Sequence, residues 1–211
     1  MNIWYYLQKG LYKSKNFNKN TFILKVNDYM IHINQFLYVI GSYMAGNILT
    51  AYMIIKWKYG MDIRGIGSGN PGARNMGRLY GKGYFLATFL GDALKGAIVV
   101  YIARILFGES IFPLLSLLAV VVGHIYPIFF KYKGGKGIST FIGGLIVFNY
   151  LIALILVLIF ILLYLMFKSF TKAGLITIAC LPLCMIAYSY SMEAIVLSVC
   201  MIILILYAHR K

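Results

Sequence analysis

Residues Ser139–Phe167 read STFIGGLIVFNYLIALILVLIFILLYLMF, 29 positions without a charge. A bilayer core of about 30 Å takes roughly 20 helical residues. The run is therefore too long for one span and short for two. Whether it turns near Phe148-Asn149-Tyr150 fixes the parity of the whole chain.

Reading outward, apolar runs recur at Phe36–Ile55, Tyr84–Leu106 and Phe112–Phe130 before this stretch, and at Gly174–Tyr188 and Ala194–Ala208 after it. With the turn, the spans number seven. Then Lys56–Lys82, Lys131–Lys136, Lys168–Lys172 and Arg210–Lys211 share one side and hold six, three, two and two basic residues. The opposite connections, Phe107–Ile111, Phe148–Tyr150 and Ser189–Glu193, hold none. A single long span would scatter the basic loops over both faces, against the positive-inside rule. The sequence thus predicts an all-α polytopic membrane protein with seven transmembrane helices, several of them short, and Gly-rich basic cytoplasmic loops.

Composition agrees. Of 211 residues, 62% are hydrophobic and 12% charged, far from the roughly 45–50% and 25% of soluble domains. Twenty Lys and Arg against five Asp and Glu give a net charge of +15. In a membrane protein that excess marks cytoplasmic loops, and no nucleic-acid partner is expected. Cys180, Cys184 and Cys200 lie in apolar runs as small hydrophobes, with no disulfide or metal pattern. Seven spans place the N-terminus outside, although residues 1–35, a basic extension, carry Lys9, Lys13, Lys15, Lys19 and Lys25. Residues 36–211 form the transmembrane domain.

Chemistry is concentrated in the loops. Residues 64–78 run Arg64-Gly65-Ile66-Gly67-Ser68-Gly69-Asn70-Pro71-Gly72-Ala73-Arg74-Asn75-Met76-Gly77-Arg78. Glycines let successive N–H groups converge on an anion, and Arg offers a planar fork for phosphate oxygens. The G-x-G-x-x-G match at Gly67–Gly72 is no dinucleotide fingerprint, because membrane spans flank it where a strand and soluble helix are required. A second loop, Gly123-His124-Ile125-Tyr126-Pro127 through Lys133-Gly134-Gly135-Lys136-Gly137, opens onto a helix whose N-terminus suits an anion. Gly137 follows Lys136, so this is not a Walker A motif. The plain alternative is a glycine turn flanked by topology-setting lysines. Asp92 and Lys95 stand three residues apart on one helix face, a structural pair or an orienting one.

These motifs, in this order over residues 36–211, resemble the bacterial PlsY family of membrane-integral acyl-phosphate:glycerol-3-phosphate 1-acyltransferases. The resemblance implies seven helices in the bacterial cytoplasmic membrane with the active-site loops facing the cytoplasm. It implies transfer of a fatty acyl group from acyl phosphate to the 1-hydroxyl of glycerol 3-phosphate, giving lysophosphatidic acid and phosphate. The implied partners are those two substrates and membrane lipid, with no cofactor and no metal; the oligomeric state is left open. By residue, it matches Ser68, Asn70 and Arg78 to phosphate-binding positions, and Lys136 to the phosphate-loop lysine within Gly134, Gly135 and Gly137. Gly69, Arg74 and Asn75 complete the substrate-binding set of the first loop. Thr171 stands where the family usually has serine, and His209 where it has a C-terminal histidine.

An acyl phosphate is already activated, so the protein must chiefly align two phosphates and an acyl chain and stabilise the developing charge. The attacking hydroxyl is expected to lose its proton to a substrate phosphate, with His209 or His124 as the competing base. Three departures stand out. Arg74 replaces the threonine of the family's Gly-Ala-Thr-Asn, Lys168–Gly174 differs from the usual serine-bearing loop, and the family's terminal Asn position falls after Lys211. The alternatives are a catalytically impaired paralogue or a phosphate-ester transporter.

Overall fold

The computed structural model describes residues 19–210, with side chains from Tyr29 onward. The expectations for residues 1–18 and for Lys211 lie outside the described residues. Two compact units divide the chain, Met1–Leu37 and Tyr38–Lys211. Within the first, residues 19–37 belong to helix α1.

The regular elements of the described residues are helices: α1 Lys19–Gly46, α2 Thr50–Tyr59, α3 Ala73–Tyr80, α4 Lys82–Phe107, α5 Phe112–Ile125, α6 Ile138–Phe148, α7 Tyr150–Phe167, α8 Phe170–Ala179, α9 Leu181–Ala187 and α10 Met192–Ala208, with two short 3-10 turns at Ile63–Gly65 and Ile128–Phe130. Four stretches are long and apolar enough to cross a membrane: Lys82–Phe107, Phe112–Phe130, Tyr150–Phe167 and Phe170–Ala187. The pair Tyr29–Gly46 and Thr50–Tyr59, bent by 43°, passes the same test together, and α6 and α10 are shorter apolar helices.

The decisive stretch splits at Asn149. Its backbone is extended, with φ −155° and ψ 103°, which ends α6. Its Oδ1 then accepts from the N–H groups of Leu151 and Ile152 at 3.0 and 3.1 Å. One asparagine both stops a helix and caps the next. Its Nδ2 donates to the Tyr190 hydroxyl at 3.0 Å, tying this turn to the start of α10.

The other break with consequences follows Gly46. The chain leaves the helix over Asn47–Leu49, which frees carbonyls that lipid cannot satisfy. Lys95 of α4 supplies the donor: its Nζ lies 3.2 Å from Gly46 O and 2.5 Å from Ile48 O. The ammonium is balanced by Asp92 Oδ1 at 3.0 Å.

Small residues bring α4 and α6 together. A Cβ on Gly96 would overlap the Thr140 carbonyl, and one on Gly143 would overlap the Ala93 carbonyl. Close backbone approach replaces the hydrophobic drive that lipid cannot provide. Leu117, Phe141, Met201 and Ile205 fill the space between α5, α6 and α10. Leu158, Leu162 and Met166 of α7 remain exposed, as an apolar helix facing lipid requires. The connections Phe107–Phe112, Phe148–Tyr150 and Ala187–Ser191 gather around a small cavity of about 380 Å³. The glycine-rich loops gather around a larger one.

Candidate active site

The first loop is held by its own side chains. Asp62 Oδ1 accepts from Arg64 N at 2.9 Å, and Arg64 Nη2 meets Asp62 Oδ2 at 2.6 Å. Arg64 Nη1 also donates to Phe130 O at 2.9 Å, so this guanidinium joins the first loop to the turn preceding the second. The Arg64 contact holds the Asp62 carboxyl below the usual carboxylate range. Gly67 and Gly69 have φ of +62° and +70°, values that a side chain strains. Asn75 braces this turn from α3. Its Oδ1 accepts from Ser68 N at 3.0 Å, and its Nδ2 donates to Ile66 O at 3.1 Å. Asn75 is buried, and its amide is engaged with the loop backbone.

The second loop folds back on the end of α5. Gly134 N donates to Ile125 O at 3.2 Å and Gly135 N to His124 O at 3.0 Å, satisfying carbonyls left free by the helix terminus. Gly137, with φ +81°, then starts α6. Lys136 stands immediately before that helix N-terminus, where backbone N–H groups favour an anion.

Both loops line a single cavity of about 970 Å³. Ser68, Gly69, Asn70, Arg74, Asn75 and Arg78 enter from the first loop and α3. Gly134, Gly135, Lys136 and Gly137 enter from the second. Thr171 arrives from the start of α8, His209 from the end of α10, and His124 and Asp92 from α5 and α4. Of the residues singled out from sequence, Lys95 alone stands behind the cavity wall, bonded to Asp92, His124 and the broken end of α1.

The cavity is strongly cationic. Arg74 and Arg78, four residues apart on α3, present one face. Burial holds the Lys136 ammonium below the ordinary lysine range, and the charges of Arg74 and Arg78 push it the same way. Asp92 lines the cavity, but its charge is compensated by Lys95. Burial likewise holds His209 below the ordinary 6.5, a bond to Ile205 O opposes this, and Lys136 and Arg74 reinforce it. With Nδ1 2.8 Å from Ile205 O, a neutral His209 donates from Nδ1 and keeps a lone pair on Nε2.

The cavity also has an apolar limb that motif reading missed. Phe141 and Leu145 of α6, Ala153 and Leu156 of α7, and Ile178 of α8 line it. No sequence signal separates these residues from lipid-facing ones, since both are aliphatic or aromatic. The arrangement can bind phosphate groups at its cationic end and hydrocarbon along the limb.

Comparison with known proteins gives this pairing a context. The glycerol-3-phosphate acyltransferase family model matches residues 36–211. Glycerol-3-phosphate acyltransferase 1 of Bacillus cereus is 68% identical over 186 residues, covering 88% of this chain and all of its own. The crystal structure of PlsY, an integral membrane glycerol 3-phosphate acyltransferase, in its glycerol 3-phosphate form superposes with a TM-score of 0.77 at 34% identity, covering 84% of this chain and 88% of that one. Its lysophosphatidic acid form gives a TM-score of 0.75 at 32% identity over the same shares. The chain belongs to the glycerol-3-phosphate acyltransferase family, as an integral membrane member of the PlsY type.

Proposed function

We propose that this protein transfers a fatty acyl group from acyl phosphate to the 1-hydroxyl of glycerol 3-phosphate. The observation that carries this reading is the continuity of a four-cation pocket (Arg74, Arg78, Lys133 and Lys136) with an apolar limb between α6, α7 and α8. Two phosphate-bearing substrates need cations and N–H donors at one end, and the acyl tail needs hydrocarbon at the other. Ser68, Asn70 and Arg78 bind substrate phosphate, and the Gly134–Gly137 loop with Lys136 cradles the phosphoryl group that leaves. Thr171 closes the side of the pocket at α8.

The reaction breaks the bond between the acyl carbon and the phosphate oxygen. It forms the ester bond to the 1-hydroxyl and moves the hydroxyl proton to the departing phosphate. Direct transfer to a phosphate oxygen requires no protein base. A second reading, relay through His209, is favoured by its anchored Nδ1 and free Nε2 lone pair.

The chain crosses the bacterial cytoplasmic membrane seven times in this reading. The bent pair α1–α2, then α4, α5, α6, α7, the pair α8–α9, and α10 supply the crossings. Alternation places both glycine-rich loops, the start of α8 and the end of α10 together on the cytoplasmic side. Residues 1–35 form a separate basic extension to the catalytic domain of residues 36–211. The test is phosphate release and lysophosphatidic acid formation by purified protein in a lipidic medium. Palmitoyl phosphate is compared with palmitoyl-CoA, with Lys136→Ala as control. Product from acyl phosphate alone, lost in the variant, is expected. Product from palmitoyl-CoA alone overturns the donor assignment, and none from either donor favours an impaired paralogue or a transporter.

A further inference from the structure

Lys95 Nζ is surrounded by groups that can only accept: Gly46 O at 3.2 Å, Ile48 O at 2.5 Å and Asp92 Oδ1 at 3.0 Å. A nitrogen so placed is a charged ammonium, paired as ionisable groups at membrane depth must be. Its fourth neighbour is His124 Nδ1 at 2.7 Å. An ammonium has three N–H groups and no lone pair to offer, so Nδ1 is an acceptor, and Gly46 O, the most distant of the four, shares a proton with a nearer neighbour. Lys95 therefore dictates the tautomer of a histidine on another helix: the neutral ring carries its proton on Nε2.

That proton points at the reaction site. His124 is 3% exposed, and its ring lies against the second loop so closely that a Cβ on Gly135 would overlap Nε2. The same ring lines the cavity beside Lys136. Among the described residues, Nε2 has no hydrogen-bond partner. The fully buried polar atoms left unpaired are those of Asn47, Thr88, Ser116, Thr140 and Thr177; His124 Nε2 is not one of them, so it opens to the cavity, where an acceptor on a ligand can reach it.

We propose that His124 binds substrate as a neutral hydrogen-bond donor, giving Nε2–H to a phosphate oxygen held on the Gly134–Gly137 loop, with Lys95 as the positioning residue that fixes its tautomer. The assignment rests on the acyltransferase reading for the identity of the phosphate, either that of glycerol 3-phosphate or that of the acyl donor. It removes His124 from the bases: Nε2 already holds a proton, and Nδ1 is occupied. It also explains a choice of residue, because a neutral donor adds a hydrogen bond without crowding another cation beside Lys136.

The test begins with nitrogen NMR of the full chain labelled at histidine, with the His124 signals assigned by their loss in His124→Gln. Expected is a protonated Nε2 and bare Nδ1 at neutral pH, with the Nε2–H signal shifting as inorganic phosphate is added. A proton on Nδ1, or a signal unmoved by saturating phosphate, overturns the proposal. These readouts need no turnover. Failure of the wild type to form lysophosphatidic acid would thus count against the acyltransferase reading and leave this one still decided by the spectra. In kinetics, His124→Phe should raise KM about 10- to 100-fold for the substrate whose phosphate is held. Which of the two KM values responds identifies that substrate. His124→Gln, with an amide donor, should recover most of the loss and leave the pH profile unmoved. Equal defects in two variants that both unfold at the wild-type temperature would overturn the proposal.

Discussion

Arg74 Nη1 donates to the hydroxyl of Thr171, joining α3 to the first turn of α8 at the rim of the cationic cavity. The resemblance to the PlsY family leads one to expect threonine at the first of these positions and serine at the second. The departures meet. A guanidinium has a longer reach than threonine and offers several donors, and Thr171 keeps a hydroxyl that accepts one of them, so each change suits the other.

Replacing Arg74 by threonine should therefore weaken substrate binding and leave an enzyme that still turns over. Arg74 is exposed, so the lost interaction is worth about 0.5–1 kcal/mol, or roughly 2- to 5-fold in KM. Thr171→Ser, which keeps an acceptor, should change KM less than Thr171→Ala. Steady-state kinetics with glycerol 3-phosphate varied against fixed palmitoyl phosphate reads both comparisons. A KM for Arg74→Thr at or below the wild-type value would show that the guanidinium does not serve the substrate.

Lys136 gives a pH signature. Its ammonium is destabilised by burial and by Arg74 and Arg78, so on raising the pH it loses its charge earlier than an ordinary lysine. Phosphate binding should weaken correspondingly, with KM rising on an alkaline limb that begins below the usual 10.5. Lys136→Arg should move that limb to higher pH, because guanidinium stays charged past about pH 12. Lys136→Ala should remove about two to three orders of magnitude of rate, as the loss of a preorganised charge-stabilising donor does. The pH dependence of KM across the three proteins decides it: coincident alkaline limbs in wild type and Lys136→Arg would assign the titration elsewhere.

His209 governs the opposite limb if it relays the proton. A depressed imidazole pKa means that His209 is neutral and able to accept at pH 7. It is charged and inert only below its ordinary value of about 6.5. Relay predicts that the rate falls on acidification below that value and that His209→Ala abolishes this fall while lowering the rate about 100-fold or more. Direct transfer to phosphate predicts a near-normal rate in His209→Ala with the acid limb intact. One kcat/KM profile from about pH 5 to 8 for each protein separates the two.

The sequence made some of this architecture legible, and physics explains which parts. The split at Asn149 could be read because charge asymmetry across a bilayer is a count of residues, independent of packing. The two glycine-rich loops could be read because conformational freedom and cationic side chains are properties of residue types. What each residue touches could not. Asn75 looks like a substrate ligand in a phosphate loop, yet its amide is engaged with Ile66 and Ser68. Asp92 and Lys95 announce each other by spacing, whereas the partner whose tautomer Lys95 sets lies 29 residues away on another helix. The apolar limb left no trace at all, because Phe141 and Leu145 have the same chemistry as residues that face lipid.

Asn75 therefore tests loop architecture and not ligand contact. Asn75→Ala leaves the exposed Ser68 N–H and the half-buried Ile66 carbonyl without their partner, a loss of about 0.5–1.5 kcal/mol for each hydrogen bond. Asn75→Asp keeps the acceptor for Ser68 and loses the donor to Ile66, and it adds a negative charge to a phosphate site. Both variants should unfold at lower temperature than wild type, and the aspartate should bind phosphate worse than the alanine. An alanine variant with unchanged unfolding and a raised KM would instead mean that the Asn75 amide reaches the substrate.

The buried pair beneath the cavity should show the sharpest contrast between breaking and removing an interaction. Lys95→Met strands the Asp92 carboxylate, with Thr50 Oγ1 at 3.0 Å as its remaining neutral donor. It also frees the carbonyls of Gly46 and Ile48. Loss of one member of a buried pair costs roughly 3–5 kcal/mol. Asp92→Asn with Lys95→Met removes both charges and should regain part of that stability, because no uncompensated ion remains. Activity should not return with it, since His124 has lost the group that orders its tautomer and the bend after Gly46 has lost its donor. Thermal unfolding and lysophosphatidic acid formation, measured on the same preparations, separate the two effects. A double variant that regains stability and rate together would make the pair purely structural.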